Sequence, residues 1–437
     1  MNNRQYLERS LKAVWHPCTQ MKVHETLPLI PIQRGAGTWL YDFEGNRYLD
    51  VVSSWWVNLF GHANRRINAA LKDQLDRLEH VILAGFTHEP VIRLSEQLAA
   101  LTGNRLGHCF YASDGASAVE IALKMSFHYW RNSGHPEKSR FVGLSGGYHG
   151  ETLGALSVSD VALFKDAYAP LLRVSATVPS PDWRLAVPGE TARDYALRCA
   201  ATLDAYLAEH HQDTAAIIVE PLVQCAAGMA MHHPEYLTRA RAICDRYCVH
   251  LIADEIAVGF GRTGSFFAHE QAGITPDFLC LSKGLSGGYL PLSVVLTTER
   301  VYAAFYADDV RRGFLHSHSY TGNTLACTAA LATLAIFAED QVIEANRAKS
   351  ARITDMAEPL AQHPRVRHFR HCGMIWAFDV DTSDPLFARR FHAAALEREL
   401  LMRPLGNTLY FMPPYVIGED EIALLISRTL ALLAAVH

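Results

Sequence analysis

No stretch of this 437-residue sequence is apolar for long enough to cross a bilayer. Its opening residues, MNNRQYLERSLKAVW, lack the apolar centre of a signal peptide, so a cytoplasmic protein is expected. Charge is sparse. Asp, Glu, Lys and Arg make up 19% of the chain, and a net charge of −5 with pI near 6.5 gives no general attraction to nucleic acid or membranes. The nine cysteines are scattered; Cys244 and Cys248 lie one helical turn apart but no second pair at metal-ligand spacing accompanies them. They read as core thiols of a reducing compartment. Internal repeats and low-complexity tracts are missing. So are a P-loop and any G-x-G-x-x-G that opens a helix, which counts against dinucleotide binding.

Histidine, by contrast, is plentiful at 22 residues. His210-His211, His232-His233 and His316-Ser-His318 are adjacent or alternate, unlike the i, i+4 helical pair of a zinc enzyme. Solvated or core histidines are expected, and no metal. The length exceeds that of one ordinary domain, and 49% hydrophobic residues supply ample core, so a large and a smaller domain are expected.

The most informative stretch runs from Leu251 to Gly288. An apolar run, His250-Leu-Ile-Ala-Asp254-Glu255-Ile256, is followed by Gly-Phe-Gly-Arg-Thr-Gly; a second run, Phe278–Ser282, ends at Lys283 before Gly284, Gly287 and Gly288. Short apolar runs bounded by turn residues read as buried strands of a parallel sheet. Ligands of such sheets sit beyond the carboxyl ends of the strands, where Asp254 and Lys283 would both point. A desolvated lysine is a nucleophile for carbonyls, including the aldehyde of pyridoxal phosphate, and an aspartate can hold the proton on that cofactor's ring nitrogen. An ordinary Asp–Lys ion pair capping the sheet is the plainer alternative.

Elsewhere the chain alternates. Thr38–Asp50 reads as a β-hairpin around Glu-Gly-Asn. Ser53-Ser54-Trp55-Trp56 carries two tryptophans that cannot share one face of a strand, so one would be core and the other would line a cleft, unless both simply pack. Helices are expected over 65–79 and 90–101. The strand His108–Ala112 runs into Ser113-Asp114-Gly115-Ala116-Ser117 and a helix, which is either an anion cradle or a plain turn with an Asp/Ser cap. Phe141–Leu144 is a strand ending in Ser-Gly-Gly-Tyr148-His149-Gly150. The proline-bearing stretch 160–190 reads as a surface excursion. After a helix near 191–209, Ala215–Val219 is a buried strand ending at Glu220. This alternation over 105–297 predicts a mostly parallel sheet sandwiched by helices. A helix over Thr324–Glu339 leads to a C-terminal region with helices near 343–360, 385–400 and 419–435 and strands at 366–370, 373–380 and 409–412. Arg403-Pro404-Leu405 is suited to gripping a carboxylate, or is a surface arginine.

The stretch from Asp254 to Lys283 resembles the signature of the class III (ω-)aminotransferases. That resemblance implies an α/β protein of fold type I, with a seven-stranded, mostly parallel sheet and a smaller α+β domain from both chain ends. The domains would be 1–60, 61–335 and 336–437, the first and last forming the small one. The implied cofactor is pyridoxal 5′-phosphate. Lys283 would be its Schiff-base lysine, Asp254 its ring-nitrogen partner, Ile256 the residue packed under the ring and Tyr148 the aromatic on the opposite face. Gly115 and Ala116 would hold the phosphate, and Ser319 would reach it from the partner of a homodimer with shared sites. Glu220 would be the family's carboxylate near the cofactor, a structural acid being the plainer alternative.

Further wording narrows the resemblance: Trp15-His16-Pro17, Thr19-Gln20-Met21, Ser53-Ser54-Trp55-Trp56, Gly61-His62, Arg403-Pro404 and Met412-Pro413-Pro414-Tyr415. It is similar to the family members that aminate 8-amino-7-oxononanoate in biotin biosynthesis, with S-adenosylmethionine as donor. Trp55, Tyr148, Lys283 and Arg403 would then contact substrate. Three departures bear on the donor: Cys18 replaces a tyrosine, Leu405 an aromatic, and His316-Ser-His318-Ser-Tyr320 a His-Gly-Pro-Thr-Phe. Relatives using lysine as donor carry similar histidine-bearing wording. Lysine therefore stays open as donor, as does another ω-amine transaminase working with pyruvate or 2-oxoglutarate.

Overall fold

The computed structural model describes residues 1–173 and 175–436. The chain divides into two compact units, one holding Arg66–Ser350 and Arg370–Ile375, the other Met1–Arg65, Ala351–Phe369 and Trp376–His437. The breaks fall at 65/66, 350/351, 369/370 and 375/376. The helix Thr324–Glu339 buries Ala326, Ala330, Thr333, Leu334 and Phe337, so the division waits until the next helix, Val342–Met356.

The larger unit is built on a seven-stranded sheet. Edge to edge it runs His108–Ala112, Ser293–Thr297, Phe278–Leu281, His250–Asp254, Thr214–Val219, Arg140–Leu144 and Ala176–Val178. Only Ser293–Thr297 runs against its neighbours; the remaining pairs are parallel. Both faces are covered, which is why Thr214–Val219, His250–Asp254 and Phe278–Leu281 read as unbroken apolar runs and are buried throughout. The helix Gly115–Asn132 packs Ala118, Ile121, Ala122 and Met125 into the same core as Ile218, Ile252, Cys280 and Val295.

The stretch 160–190 is not only a surface excursion. Ala176–Val178 pairs with Val142–Leu144 as the last strand of the sheet. Three residues between prolines suffice there, because an edge strand pairs on one side alone. Among the described residues, no single helix is long and apolar enough to cross a membrane.

In the smaller unit the two chain ends meet. Ile32–Ala36, Trp39–Asp42 and Arg47–Asp50 form an antiparallel set that Leu400–Leu401 joins in parallel. The hairpin turn is tight because Asp42 Oδ1 accepts the amides of Glu44 and Asn46, both at 2.9 Å, and Gly45 supplies φ +88°. A second antiparallel pair, Ile375–Val380 with Thr408–Phe411, carries the buried Trp376, Phe378 and Phe411.

One core group makes the larger unit sensitive to acid. His250 is 1% exposed, stacked on Trp130 and hydrogen-bonded through Nδ1 to Ser126 Oγ at 2.9 Å. Burial pushes its imidazole down to about 3, against a weaker pull upward from Asp277. The folded value is depressed, so the unfolded chain binds the extra proton below its own value near 6.5, and stability falls from there toward pH 3. The expected slope from this group is about 1.4 kcal/mol per pH unit. Urea midpoints measured between pH 7 and 4 should fall less steeply in His250→Gln, and an unchanged slope would place the loss elsewhere.

Candidate active site

The carboxyl ends of the parallel strands gather at one edge of the larger unit's sheet, the place where ligands of such sheets bind. Tyr148 and His149 follow Arg140–Leu144, Glu220 follows Thr214–Val219, Asp254 ends its own strand, and Lys283 follows Phe278–Leu281. These four strands are consecutive neighbours in the sheet. Residues separated by up to 135 positions are thereby brought together.

Asp254 is 4% exposed. Its Oδ2 accepts from His149 Nδ1 at 2.7 Å and its Oδ1 from the Ile256 amide at 3.1 Å. The two bonds fix the plane of the carboxylate at the strand end. Glu220, 5% exposed, accepts the amides of Tyr148 at 3.0 Å and Cys225 at 3.1 Å. Burial raises its carboxyl to about 7, with His149 opposing and Asp254 adding to the shift. Lys283 is held with φ +36°, and burial lowers its ammonium below the usual lysine range against the opposing charges of Cys225, Asp254 and Glu220. The amine therefore loses its proton more readily than an exposed lysine does.

The turn after His108–Ala112 comes close to the end of the Asp254 strand. Asp114 caps the following helix by accepting the Ser117 amide at 2.9 Å. That leaves the first-turn amides of Gly115 and Ala116 without an acceptor among the described residues, at the positive end of an 18-residue helix. A Cβ on Gly115 would stand 2.9 Å from Ile256 Cγ2, so glycine lets this turn close on the residue beside Asp254. Tyr148 lies at the far strand end, its hydroxyl donating to Glu151 Oε1 at 2.9 Å and its ring 5.5 Å from that of Phe164.

Ser319 is not drawn into this cluster within one chain. It lies on an exposed segment, and its carbonyl accepts from His80 Nε2 at 2.9 Å. The neighbouring imidazoles form a chain in which Lys124 Nζ meets His316 Nδ1 at 2.7 Å and His316 Nε2 meets His318 Nε2 at 3.0 Å.

Trp55 and Arg403 belong to the smaller unit and meet there. The Arg403 guanidinium sits 5.0 Å from the Trp55 ring centre, a cation–π arrangement at the wall of a cavity of about 620 Å³ that Cys18 also lines. The tryptophans do part company, Trp56 at 5% exposure and Trp55 at 44%, but not on a strand. Ser53, Ser54, Trp55 and Trp56 have φ of +51°, +47°, +73° and +73°, one left-handed turn of non-glycine residues. Such a turn costs about 1–2 kcal/mol per residue, and nothing in the residue types announces it.

Two residues of the larger unit escaped the sequence reading. His149 was visible only as the neighbour of Tyr148, and its bond to Asp254 depends on which strands are adjacent. Glu255, fully buried, accepts the amides of Ala268 at 2.6 Å and His269 at 2.8 Å, and His269 Nδ1 at 2.7 Å. It pins the end of the glycine-rich loop that begins at Gly259. An acid next to Asp254 in an apolar run was the available signal.

Pyridoxal phosphate fits these residues: a desolvated amine for its aldehyde, a held carboxylate for its ring nitrogen and free helix-start amides for its phosphate. A cluster of strand-end residues so equipped is that of an enzyme moving groups through a carbonyl cofactor. The family model for class-III aminotransferases matches residues 20–433, and the chain belongs to that family. A Helicobacter pylori protein named adenosylmethionine-8-amino-7-oxononanoate aminotransferase is 49% identical over 421 residues, 94% of each chain. Its Geobacter sulfurreducens namesake is 39% identical over 424 residues, again 94% of each. Among solved structures, the Methanocaldococcus jannaschii enzyme of the same name superposes with TM-score 0.93 at 34% identity, covering 100% of both chains. An amine transaminase from an uncultivated Pseudomonas species, solved with pyridoxal phosphate bound, gives TM-score 0.91 at 32% identity over 97% of this chain and 99% of that one.

Proposed function

We propose that this enzyme converts 8-amino-7-oxononanoate to 7,8-diaminononanoate, a step of biotin biosynthesis, with S-adenosylmethionine as amino donor and pyridoxal phosphate as cofactor. The observation that carries the reading is the 49% identity, across 94% of both chains, to a relative named for that reaction. When bound, pyridoxal phosphate supplies an aldehyde that takes up the amine and a ring that draws electrons from the carbon losing its proton.

The rest is done by this chain's side chains. Lys283 Nζ, favoured in its neutral form by burial, removes the proton from the donor carbon that bears the nitrogen. In the second half-reaction it delivers a proton to the acceptor carbon. Asp254, oriented by His149 and Ile256, would hold the proton on the cofactor's ring nitrogen. Glu220, with a carboxyl near 7, limits the negative charge accumulating beside Asp254. Gly115 and Ala116 would bind the phosphate, Ile256 and Tyr148 would flank the ring, and Ser319 would serve the partner's site in a homodimer. Trp55 would line the slot for the acceptor's chain and Arg403 would bind its carboxylate. Cys199, Cys225, Cys244, Cys280 and Cys327 are buried thiols outside any disulfide, which supports a reducing, cytoplasmic setting, whereas Cys18 and Cys248 are exposed and are not the core thiols expected of all nine.

Lysine as donor is the second reading, supported by the likeness of His316-Ser-His318-Ser-Tyr320 to the wording of relatives that use it. One experiment separates them. The cofactor-loaded enzyme is given S-adenosylmethionine or L-lysine without acceptor, and the visible absorbance is followed; the acceptor is then added and diamine measured. Bleaching by S-adenosylmethionine alone, followed by diamine formation, is expected. Bleaching by lysine alone makes the departures at 316–320 a change of donor, and no diamine from either sinks the acceptor assignment.

A further inference from the structure

The left-handed turn at Ser53–Trp56 is held by a side-chain network that no step above uses. Asp50, whose side chain is fully buried, ends the strand Arg47–Asp50 and is tied through its amide to Thr38 O at 2.8 Å. Its Oδ1 accepts the Ser54 amide at 2.9 Å, and its Oδ2 accepts the Ser54 hydroxyl at 2.6 Å and His62 Nε2 at 3.0 Å. His62 Nδ1 lies 3.1 Å from Asn58 Nδ2, so the ring accepts from Asn58 on one side and donates to Asp50 on the other.

His62 is itself anchored by backbone. It exchanges two hydrogen bonds with Gly37, at 2.7 and 3.2 Å, and packs on bare Gly35, where a Cβ would fall 2.5 Å from its own. On the opposite flank, Ser53 Oγ donates to the Met412 carbonyl at 2.7 Å and Trp56 Nε1 to the Tyr410 hydroxyl at 3.1 Å. Backbone in a sparsely populated region persists only when its surroundings over-determine it, and such segments gather at ligand sites. Here the turn has a plain geometric result. It sends Trp56 into the core and presents Trp55 to the cavity wall, under Arg403. In a right-handed turn the two indoles would leave the backbone in other directions.

We propose that Asp50, Ser54 and His62 are positioning residues that set selectivity for a carboxylate-bearing acceptor, by locking the turn that presents Trp55 to Arg403. The guanidinium, its stem and stacking face fixed by the indole, is then preorganised for a carboxylate at the end of an apolar chain. This assignment rests on the reading of Trp55 and Arg403 as acceptor contacts.

The test compares wild type, Asp50→Asn and Ser54→Ala in the cofactor-loaded enzyme. Ser54 is exposed, so its variant is the one expected to fold without difficulty. Measured are the donor half-reaction and KM for 8-amino-7-oxononanoate and for its methyl ester, which lacks the charge. The expected result is a KM for the acid raised about tenfold, a lost preference for acid over ester, and a donor half-reaction within about twofold of wild type. Two outcomes overturn the proposal in an enzyme that aminates the acid: unchanged acid preference in both variants, or an equal loss in the donor half-reaction. A wild type that leaves the acid unreacted overturns the functional reading first, and this assignment with it.

Discussion

Lys283→Ala is expected to lower turnover by roughly 10⁴-fold or more, since one substitution removes both the amine that meets the cofactor's aldehyde and the base that moves the substrate proton. The backbone has little reason to change. Lys283 already occupies φ +36°, and alanine in that region faces the same constraint as lysine. Stability of the cofactor-free chain should move the other way. Burial depresses the folded value of the ammonium, so below that value the buried charge costs stability, and the cost is relieved as pH rises through the folded value toward that of the unfolded lysine. A neutral side chain removes that cost, and Lys283→Met should unfold at higher urea at pH 7 than the cofactor-free parent. Single-turnover bleaching with the donor and urea midpoints check the two halves. Turnover within tenfold of wild type in Lys283→Ala would remove this residue from the chemistry.

Asp254→Asn should cost roughly 10²–10³-fold in the donor half-reaction, in the range seen when one preorganised electrostatic partner is removed from a catalytic site. The amide cannot hold the proton of the cofactor's ring nitrogen. It also disturbs its own supports: both oxygens of Asp254 accept, from His149 Nδ1 at 2.7 Å and from the Ile256 amide at 3.1 Å. Asparagine must turn an N–H toward one of these donors, or lose the contact. A buried donor left without an acceptor adds about 1–3 kcal/mol against the fold. The rate of bleaching on mixing with donor is the direct readout. A loss smaller than about threefold would mean that the ring nitrogen finds its partner elsewhere.

Much of this site was legible because each of its parts is local. Leu251–Ala253, Ala215–Val219 and Phe278–Leu281 are apolar without interruption, as suits strands covered on both faces, and each is followed within two residues by one that can ionise. The turn Asp114–Ser117 declares itself through cap and glycine. Recognising the family then supplied roles that spacing alone left undecided between a cofactor site and an ion pair. The strand Ala176–Val178 was hidden because three residues among prolines carry no periodicity.

What the sequence by itself determined is most of the elements of the large sheet and the residue that stands at each of its central strand ends, because hydrophobic period and turn chemistry act over a few neighbours. Tertiary structure alone decided which ends are adjacent. Strand order depends on contacts between residues far apart in the chain, and it is this order that puts His149 on Asp254 and lowers the Lys283 ammonium by burial. It also decided the hand of the turn at Ser53–Trp56. Local sterics favour the right-handed form, and only Asp50, His62 and Met412, brought in from three other positions, hold the left-handed one that faces Trp55 to Arg403.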